Sequence, residues 1–294
     1  MNQVQLLTHI VAREAAEALG WEDGRPGGAA ARILLRSAAQ RVAREFARCD
    51  EAFASRTLPD AARWILGHFS ASVEVAGLER VPRHGPILLV ANHPGLTDAV
   101  ALIAALDRSD LRIVAADYPF LHALRGLGPH LIFLGASQLG WIRAVARDLR
   151  RGAAVLLFPA GCLEPDVAVL GRADALLPWS ASVGLIRHLA PEAQIVPAAV
   201  AGVLSAHAFA HPLTRMRRLA RDRQRVATLL QMHDARYRPV TARIAFGTPL
   251  APVSDGIDVT AVLAARVREL LVDPPSDWMP VTRRSSEPAT NTAA

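Results

Sequence analysis

The sequence predicts an α/β fold: a largely parallel sheet flanked by helices, with an N-terminal helical segment in front of it. Three observations predict this. Short apolar runs recur through the middle of the chain, at 87–91, 131–134, 153–158 and 194–203, and runs of that length suit strands buried on both faces of a sheet. Segments with apolar residues at helical spacing separate them, and strands alternating with helices imply parallel pairing through right-handed crossovers. Residues 1–70, in contrast, keep a helical period throughout.

In chain order, positions 4–19 form an amphipathic segment, which the cluster Gly24, Pro26, Gly27 and Gly28 ends. A second helix covers 29–54, with Ile33, Leu34, Val42, Phe46 and Phe53 at helical spacings. A third runs from Pro59, whose missing N–H suits a first helical turn, to Phe69. Ser72 to Val75 alternates like a strand, and Pro82 to Pro86 is a turn. Ile87 to Ala91 is a strand buried on both faces, followed by a helix over 96–107. Leu111 to Ala115 and Leu131 to Leu134 are strands, then a helix spans 138–151 and a third buried strand runs from Ala153 to Phe158. A helix over 180–189 leads to a strand from Gln194 to Val203. Residues 212–232 read as one basic helix opening at Pro212. Leu213, Met216, Ala220, Ala227 and Leu230 share a face, and Arg215, Arg217, Arg218, Arg221 and Arg225 lie mostly elsewhere. Thr241 to Gly247 is a late strand and 258–272 a last helix. The stretch 275–294, rich in Pro, Ser and Thr, predicts a disordered tail. The expected organisation is a helical segment over 1–70, one α/β domain over 71–274, and the tail.

Composition narrows the function. The chain has 294 residues, of which 51% are hydrophobic and only 5% aromatic, so Ala, Leu and Val must supply most of a sizeable core. Its formal charge of +6 suggests nucleic acid at first sight, but all 33 basic residues are Arg. An Arg-only chain is strongly basic even at modest net charge, because guanidinium does not deprotonate in the usual range. No basic patch is interleaved with aromatics, so nucleic-acid binding is set aside. Cys49 and Cys162 are far apart and form no disulfide framework, which points to a reducing compartment. The first twenty residues include Glu14 and Glu17 and hold no apolar core of a signal peptide. No apolar stretch is long enough for a spanning helix. Ten histidines are present; His207 and His211 have three residues between them but read as structural or solvated, and no Cys-x2-Cys spacing occurs, so no metal centre is expected.

The most informative segment is Ala91-Asn92-His93-Pro94-Gly95-Leu96-Thr97-Asp98. A buried strand ends near His93, a Pro-Gly step turns the chain, and a helix begins near Asp98. Functional groups of parallel sheets gather at the carboxyl ends of strands. An imidazole there suits a general base, and a carboxylate five residues on can fix its tautomer and stabilise the imidazolium. On spacing alone, Asp98 reads equally as a cap for the next helix and His93 as an ordinary strand-end histidine. No G-x-S-x-G nucleophile elbow is present.

The stretch from Val73 to Pro82, followed by Gly85-Pro86-Ile87-Leu88-Leu89-Val90-Ala91-Asn92-His93, closely resembles the glycerolipid acyltransferase family, of the lysophosphatidic-acid acyltransferase type. That family carries a His-x4-Asp motif after such a strand, and His93 and Asp98 match it. Its second block is Phe-Pro-Glu-Gly; this chain has Phe158-Pro159-Ala160-Gly161. A third block, a strand with an internal proline, is similar to Ile195-Val196-Pro197-Ala198. The resemblance covers residues 70–250. Two departures stand out: Ala160 replaces the motif Glu, and no Arg follows Leu131 to Leu134. In the family those two residues are associated with the acceptor's glycerol and phosphate. Glu164, Asp166 and Arg172, in the loop after the second block, are candidate replacements; on charge alone they read equally as solvated loop residues.

The resemblance implies direct transfer of a fatty acyl group from acyl-CoA or acyl carrier protein to a lysolipid or related hydroxyl or amine. His93 is the implied base and Asp98 its support. Asn92, Phe158, Pro159, Gly161, Glu164 and Arg172 form the candidate substrate-binding set, with backbone N–H groups of the Pro159–Gly161 turn as candidate oxyanion donors. No cofactor is implied beyond the donor substrate. The implied partners are a membrane surface, the donor and a lipid acceptor, and the implied location is cytoplasmic and peripherally membrane-associated. The basic 212–232 segment suits a membrane interface, and also the solvated face of a core-packed helix. A catalytically silent lipid- or donor-binding member, and a hydrolase of acyl thioesters using the same pair, remain alternatives.

Overall fold

The computed structural model describes residues 1–21, 28–69, 72–95, 97–135, 137–171, 176–251 and 257–281. Three helices lead: α1 (Gln3–Ala18), α2 (Gly28–Ser55) and α3 (Leu58–Phe69). α1 starts at a reciprocal cap: the Asn2 side chain accepts the Gln5 N–H at 2.8 Å, and the Gln5 side chain accepts the Asn2 N–H at 3.0 Å. The buried Asp50 carboxylate of α2 accepts the N–H groups of Arg125, Gly126 and Leu127 at 2.8–3.0 Å, which fastens the helical segment to a loop of the α/β domain. Gly126 is required there, because a Cβ would stand 2.1 Å from the Asp50 carbonyl oxygen.

The remaining elements are β1 (Ser72–Ala76), β2 (Ile87–Ala91), α4 (Thr97–Leu106), β3 (Arg112–Ala115), α5 (Pro119–His122), β4 (Leu131–Phe133), α6 (Gln138–Arg150), β5 (Ala154–Leu157), α7 (Val167–Leu170), α8 (Ser182–Leu189), β6 (Gln194–Ala201), α9 (Ala206–Phe209), α10 (Ala220–His233), β7 (Thr241–Phe246), α11 (Val259–Val272) and β8 (Met279–Pro280). The strands form one sheet in the order β4-β3-β5-β2-β6-β7-β1-β8. Pairing is parallel from β4 through β6 and again between β7 and β1; only β6–β7 and β1–β8 are antiparallel.

β2 lies mid-sheet, with Ile87 opposite Ala154 on one side and Gln194 on the other. All five of its residues are buried, which is why it reads as a continuous apolar run. Alternation along the strand then divides the core. Ile87, Leu89 and Ala91 pack with residues of α3 and α4. Leu88 and Val90 pack with Ile142 and Val145 of α6, Val183 and Ile186 of α8, and Leu263 of α11.

Two expectations are corrected. The segment 212–232 is not one helix. Pro212–Met216 is a 3-10 turn, Arg217 is extended, and α10 begins only at Ala220. The buried Thr214 hydroxyl donates to the Phe209 and His211 carbonyls, both at 2.8 Å, which closes the turn back on itself. The tail expected from 275 pairs at its near end, where Met279 and Pro280 lie antiparallel to Val75 and Glu74; residues 282–294 lie outside the described residues. No helix among the described residues is long and apolar enough to cross a membrane.

Candidate active site

β2 delivers the chain to the carboxyl edge of the sheet, and Asn92 extends its hold on β6 by one more step. The Asn92 side chain donates to the Val200 carbonyl at 2.8 Å and accepts the Val200 N–H at 2.7 Å, so it stands in for a backbone pair. It is fully buried, with donor and acceptor both engaged inside the protein. This corrects the expectation that Asn92 contacts substrate: its contacts fix the end of β2.

His93 follows. The Pro94-Gly95 step turns the chain into α4, whose second residue is Asp98. The His93 Nδ1 and Asp98 Oδ2 are 2.7 Å apart, and the same oxygen accepts the Gly95 N–H at 3.0 Å. Asp98 thus fills both roles that its spacing allowed: it fixes the turn before α4 and it binds the imidazole. Its carboxylate is fully buried at the amino end of a helix, where the backbone dipole favours negative charge. The ionised carboxylate can only accept, so Nδ1 carries the proton and Nε2 keeps its lone pair. Among the described residues Nε2 has no protein partner, and the side chain remains 26% exposed. Phe158, just past β5, stacks on the ring at a centroid distance of 4.4 Å and fixes its plane.

Burial pushes the His93 imidazole down. The Asp98 charge, the hydrogen bond to it and the Glu164 charge push it up and prevail, so its pKa lies above the ordinary 6.5.

Glu164 is fully buried below the turn. Its Oε2 accepts the His93 N–H at 3.0 Å; its Oε1 accepts the Leu177 N–H at 3.0 Å and the Trp179 indole N–H at 3.1 Å. Burial pushes this carboxyl above the usual carboxylate range, against the pull of those three donors. The sequence offered Glu164 as a substrate-facing charge or a solvated loop charge. The structure corrects both, since three N–H donors brought from distant segments satisfy the carboxylate and draw it inside. Asp166 is likewise buried, accepting the N–H groups of Ala168, Gly202 and Leu204 at 2.8–3.1 Å. Burial pushes its carboxyl up, opposed chiefly by those N–H groups. Arg172 lies outside the described residues.

Around the second block, the Pro159 carbonyl accepts the Ser180 N–H at 3.0 Å. The Gly161 N–H donates to the Phe158 carbonyl at 3.1 Å, with Gly161 at φ 66°. That bond closes the turn and removes one N–H from the candidate oxyanion donors. One residue escaped the sequence reading altogether. Gln224, from α10 and almost fully buried, donates its Nε2 to the Pro94 carbonyl at 2.6 Å and the Glu164 carbonyl at 2.9 Å. It clasps the His93 turn to the Glu164 loop. A single Gln among arginines carries no signal of this in the sequence.

Comparison with known proteins follows the same segment. Residues 72–201 match the family model described as Acyltransferase. Among solved structures the chain is similar to the 1-acyl-sn-glycerophosphate (LPA) acyltransferase PlsC from Thermotoga maritima, at 18% sequence identity and a TM-score of 0.48, over 78% of this chain and 87% of that chain. No curated protein matches the chain.

Proposed function

We propose, from the match of residues 72–201 to the Acyltransferase family model, that this protein transfers a fatty acyl group from a thioester donor, acyl-CoA or acyl carrier protein, to the hydroxyl or amine of a lysolipid. His93 is the general base and Asp98 the carboxylate that orients it. The observation that carries this reading is the 2.7 Å bond from His93 Nδ1 to the buried Asp98, which leaves Nε2 as the basic nitrogen at a partly exposed edge.

In this reading the acceptor O–H or N–H gives its proton to Nε2 as the acceptor atom attacks the thioester carbonyl carbon. The C–S bond then breaks, the acyl group stays on the acceptor, and the leaving thiolate takes the proton from Nε2. Asp98 stabilises the imidazolium between these steps, the part that a triad carboxylate plays beside its histidine. The nucleophile is the acceptor itself, in keeping with a chain that has no nucleophile elbow. Glu164, Asn92 and Gln224 act through the backbone that carries His93, so they are positioning residues. A lipid acceptor brings the protein to a membrane surface, which we assign to the cytoplasmic side.

The test is transfer of radiolabelled palmitate from palmitoyl-CoA, and separately from palmitoyl carrier protein, onto a panel of lysolipids, with His93→Ala beside the parent. A labelled lipid made by the parent and lost in the variant supports the reading. Free palmitate formed equally with and without acceptor replaces it with thioester hydrolysis. No product from any combination, with both proteins folded, replaces it with a silent lipid-binding protein.

A further inference from the structure

We propose that residues 212–219, between α9 and α10, form the surface that seats this protein on an anionic lipid bilayer. This rests on the acyl-transfer reading above and says where its lipid acceptor is met.

The segment displays three large apolar side chains left substantially exposed among the described residues. Leu213 is 40% exposed, Met216 51% and Leu219 59%. The three are spaced by three residues. In a 3-10 turn, residues three apart eclipse one another, so Leu213 and Met216 stand in line; Leu219 follows across the extended Arg217, at the start of α10. The turn beneath them is firmly built. Thr214 is buried and bonded to two carbonyls, and the His211 ring accepts the Leu213 N–H at 3.2 Å. These side chains are therefore held outward by a fixed scaffold. Among and just after these residues in the sequence, Arg215, Arg218 and Arg221 are exposed. Arg217 is held by Asp222 at 2.8 Å and lies against Gly20, where a Cβ would come within 2.5 Å of its guanidinium. Trp21, next in the chain after Gly20, is 39% exposed.

An apolar row interleaved in sequence with guanidinium groups matches the layering of a bilayer interface, with acyl chains below and anionic headgroups around. Nucleic acid would call for aromatic platforms among the basic groups, and the row consists of Leu and Met. The placement also suits the chemistry. Leu219 caps α10, and Gln224, five residues on, is bonded to the Pro94 carbonyl. At about 1.5 Å per helical residue, the row ends within about 8 Å along the axis of the residue that clasps the His93 turn.

The test is sedimentation of the full chain with vesicles of phosphatidylcholine alone and of phosphatidylcholine mixed with phosphatidylglycerol. The parent is compared with the triple variant Leu213→Ser, Met216→Ser, Leu219→Ser, and acyl transfer is followed in parallel with a short-chain lysolipid below its micellar concentration. The parent is expected to favour the anionic vesicles. The triple variant is expected to bind them about tenfold or more weakly, since three apolar side chains leave the bilayer, with transfer to the short-chain acceptor unchanged. Equal binding by parent and triple variant overturns the proposal, as does a parent that ignores both vesicles, or a triple variant whose only change is the loss of a dimer. A parent that binds vesicles through this row but transfers no acyl group sinks the activity reading and leaves the docking surface standing.

Discussion

Glu164 and His93 exchange main-chain contacts in both directions: the Glu164 carboxylate accepts the His93 N–H at 3.0 Å, and the His93 carbonyl accepts the Glu164 N–H at 2.7 Å. The loop after β5 is thereby tied to the end of β2 at the residue whose ring meets Asp98. The charge that fixes this backbone also contributes to the raised pKa of the imidazole above it. One side chain therefore holds the His93 backbone in place and adds, after Asp98, to the hold of the ring on a proton.

Glu164→Ala leaves three part-buried N–H donors without their acceptor, and at about 1 kcal/mol for each, the low end for an unsatisfied group that water can partly reach, the loss of stability is about 3 kcal/mol. Urea denaturation measures it. Glu164→Gln keeps the volume and one acceptor oxygen, so it recovers much of that stability. It also removes the charge. The acid limb of kcat/KM in Glu164→Gln is therefore expected at lower pH than in the parent, a shift that a purely structural role would not produce. An unchanged pH profile in a folded Glu164→Gln removes the electrostatic part of this account.

On the proposed mechanism, the His93–Asp98 pair sets the pH dependence of the parent. A general base works in its neutral form, so kcat/KM rises as pH passes upward through the raised pKa of His93, with a midpoint above 6.5. The linkage to stability has the opposite sense. The folded state holds the His93 proton more tightly than the unfolded chain, so that contribution is complete below 6.5 and fades as pH rises through the folded value. His93→Gln removes this titration, and its melting temperature should vary less with pH across that window. Asp98→Asn presents an amide N–H to Nδ1 or forces the ring into the other tautomer, which puts the proton on Nε2. Loss of about a thousandfold or more in kcat is expected, by analogy with carboxylate-to-amide changes in triads. A variant within tenfold of the parent would falsify the orienting role of Asp98.

The sequence made the central sheet legible because burial on both faces writes itself as uninterrupted apolar residues. β2 was bounded correctly to the residue, and β5 to within one at each end. The His93–Asp98 approach was legible because a five-residue turn between strand and helix is local. What failed was whatever depended on distant partners. Glu164 belongs to a loop and carries a charge, so composition puts it in water; three donors from residues 93, 177 and 179 put it inside. The 212–232 segment has apolar residues at helical spacing from end to end. The structure breaks it in two: Thr214 bonds the Phe209 and His211 carbonyls in a 3-10 turn, and Arg217 and Leu219 are extended before α10 begins.

The two cysteines are expected to differ in reactivity. Burial, with Glu45 and Asp50 nearby, pushes the Cys49 thiol up to about 12 against the opposing charge of Arg238, so almost none of it is thiolate near neutral pH. Cys162 is exposed in the loop after Gly161. Titration of the native protein with an aromatic disulfide reagent should release one fast equivalent, lost in Cys162→Ser, and a second only on unfolding. Two fast equivalents would mean that Cys49 is accessible. Because Cys162 makes no bond that holds His93, its substitution by Ser should leave acyl transfer near the parent's rate, and a large loss would move Cys162 into the reaction.

Gln224 provides the sharpest separation of positioning from stability. Gln224→Leu preserves bulk while leaving the Pro94 and Glu164 carbonyls without their donor. Gln231, two turns along the same helix, makes a comparable buried pair: it accepts the Ser205 N–H at 3.0 Å and donates to the Val203 carbonyl at 3.1 Å. Gln231→Leu is therefore a matched control, and at about 1–3 kcal/mol for each of the two groups left unsatisfied, each change should cost about 2 kcal/mol or more of stability. Only Gln224 holds the turn that carries His93, and a misplacement of about 1 Å at a reacting group can lower a rate about a hundredfold. Gln224→Leu should thus lower kcat well beyond Gln231→Leu at equal loss of stability, with KM for the donor little changed in both. Equal kcat in the two variants would reduce the Gln224 clasp to ordinary packing, and the His93 turn would then owe its shape to Asp98 and Glu164.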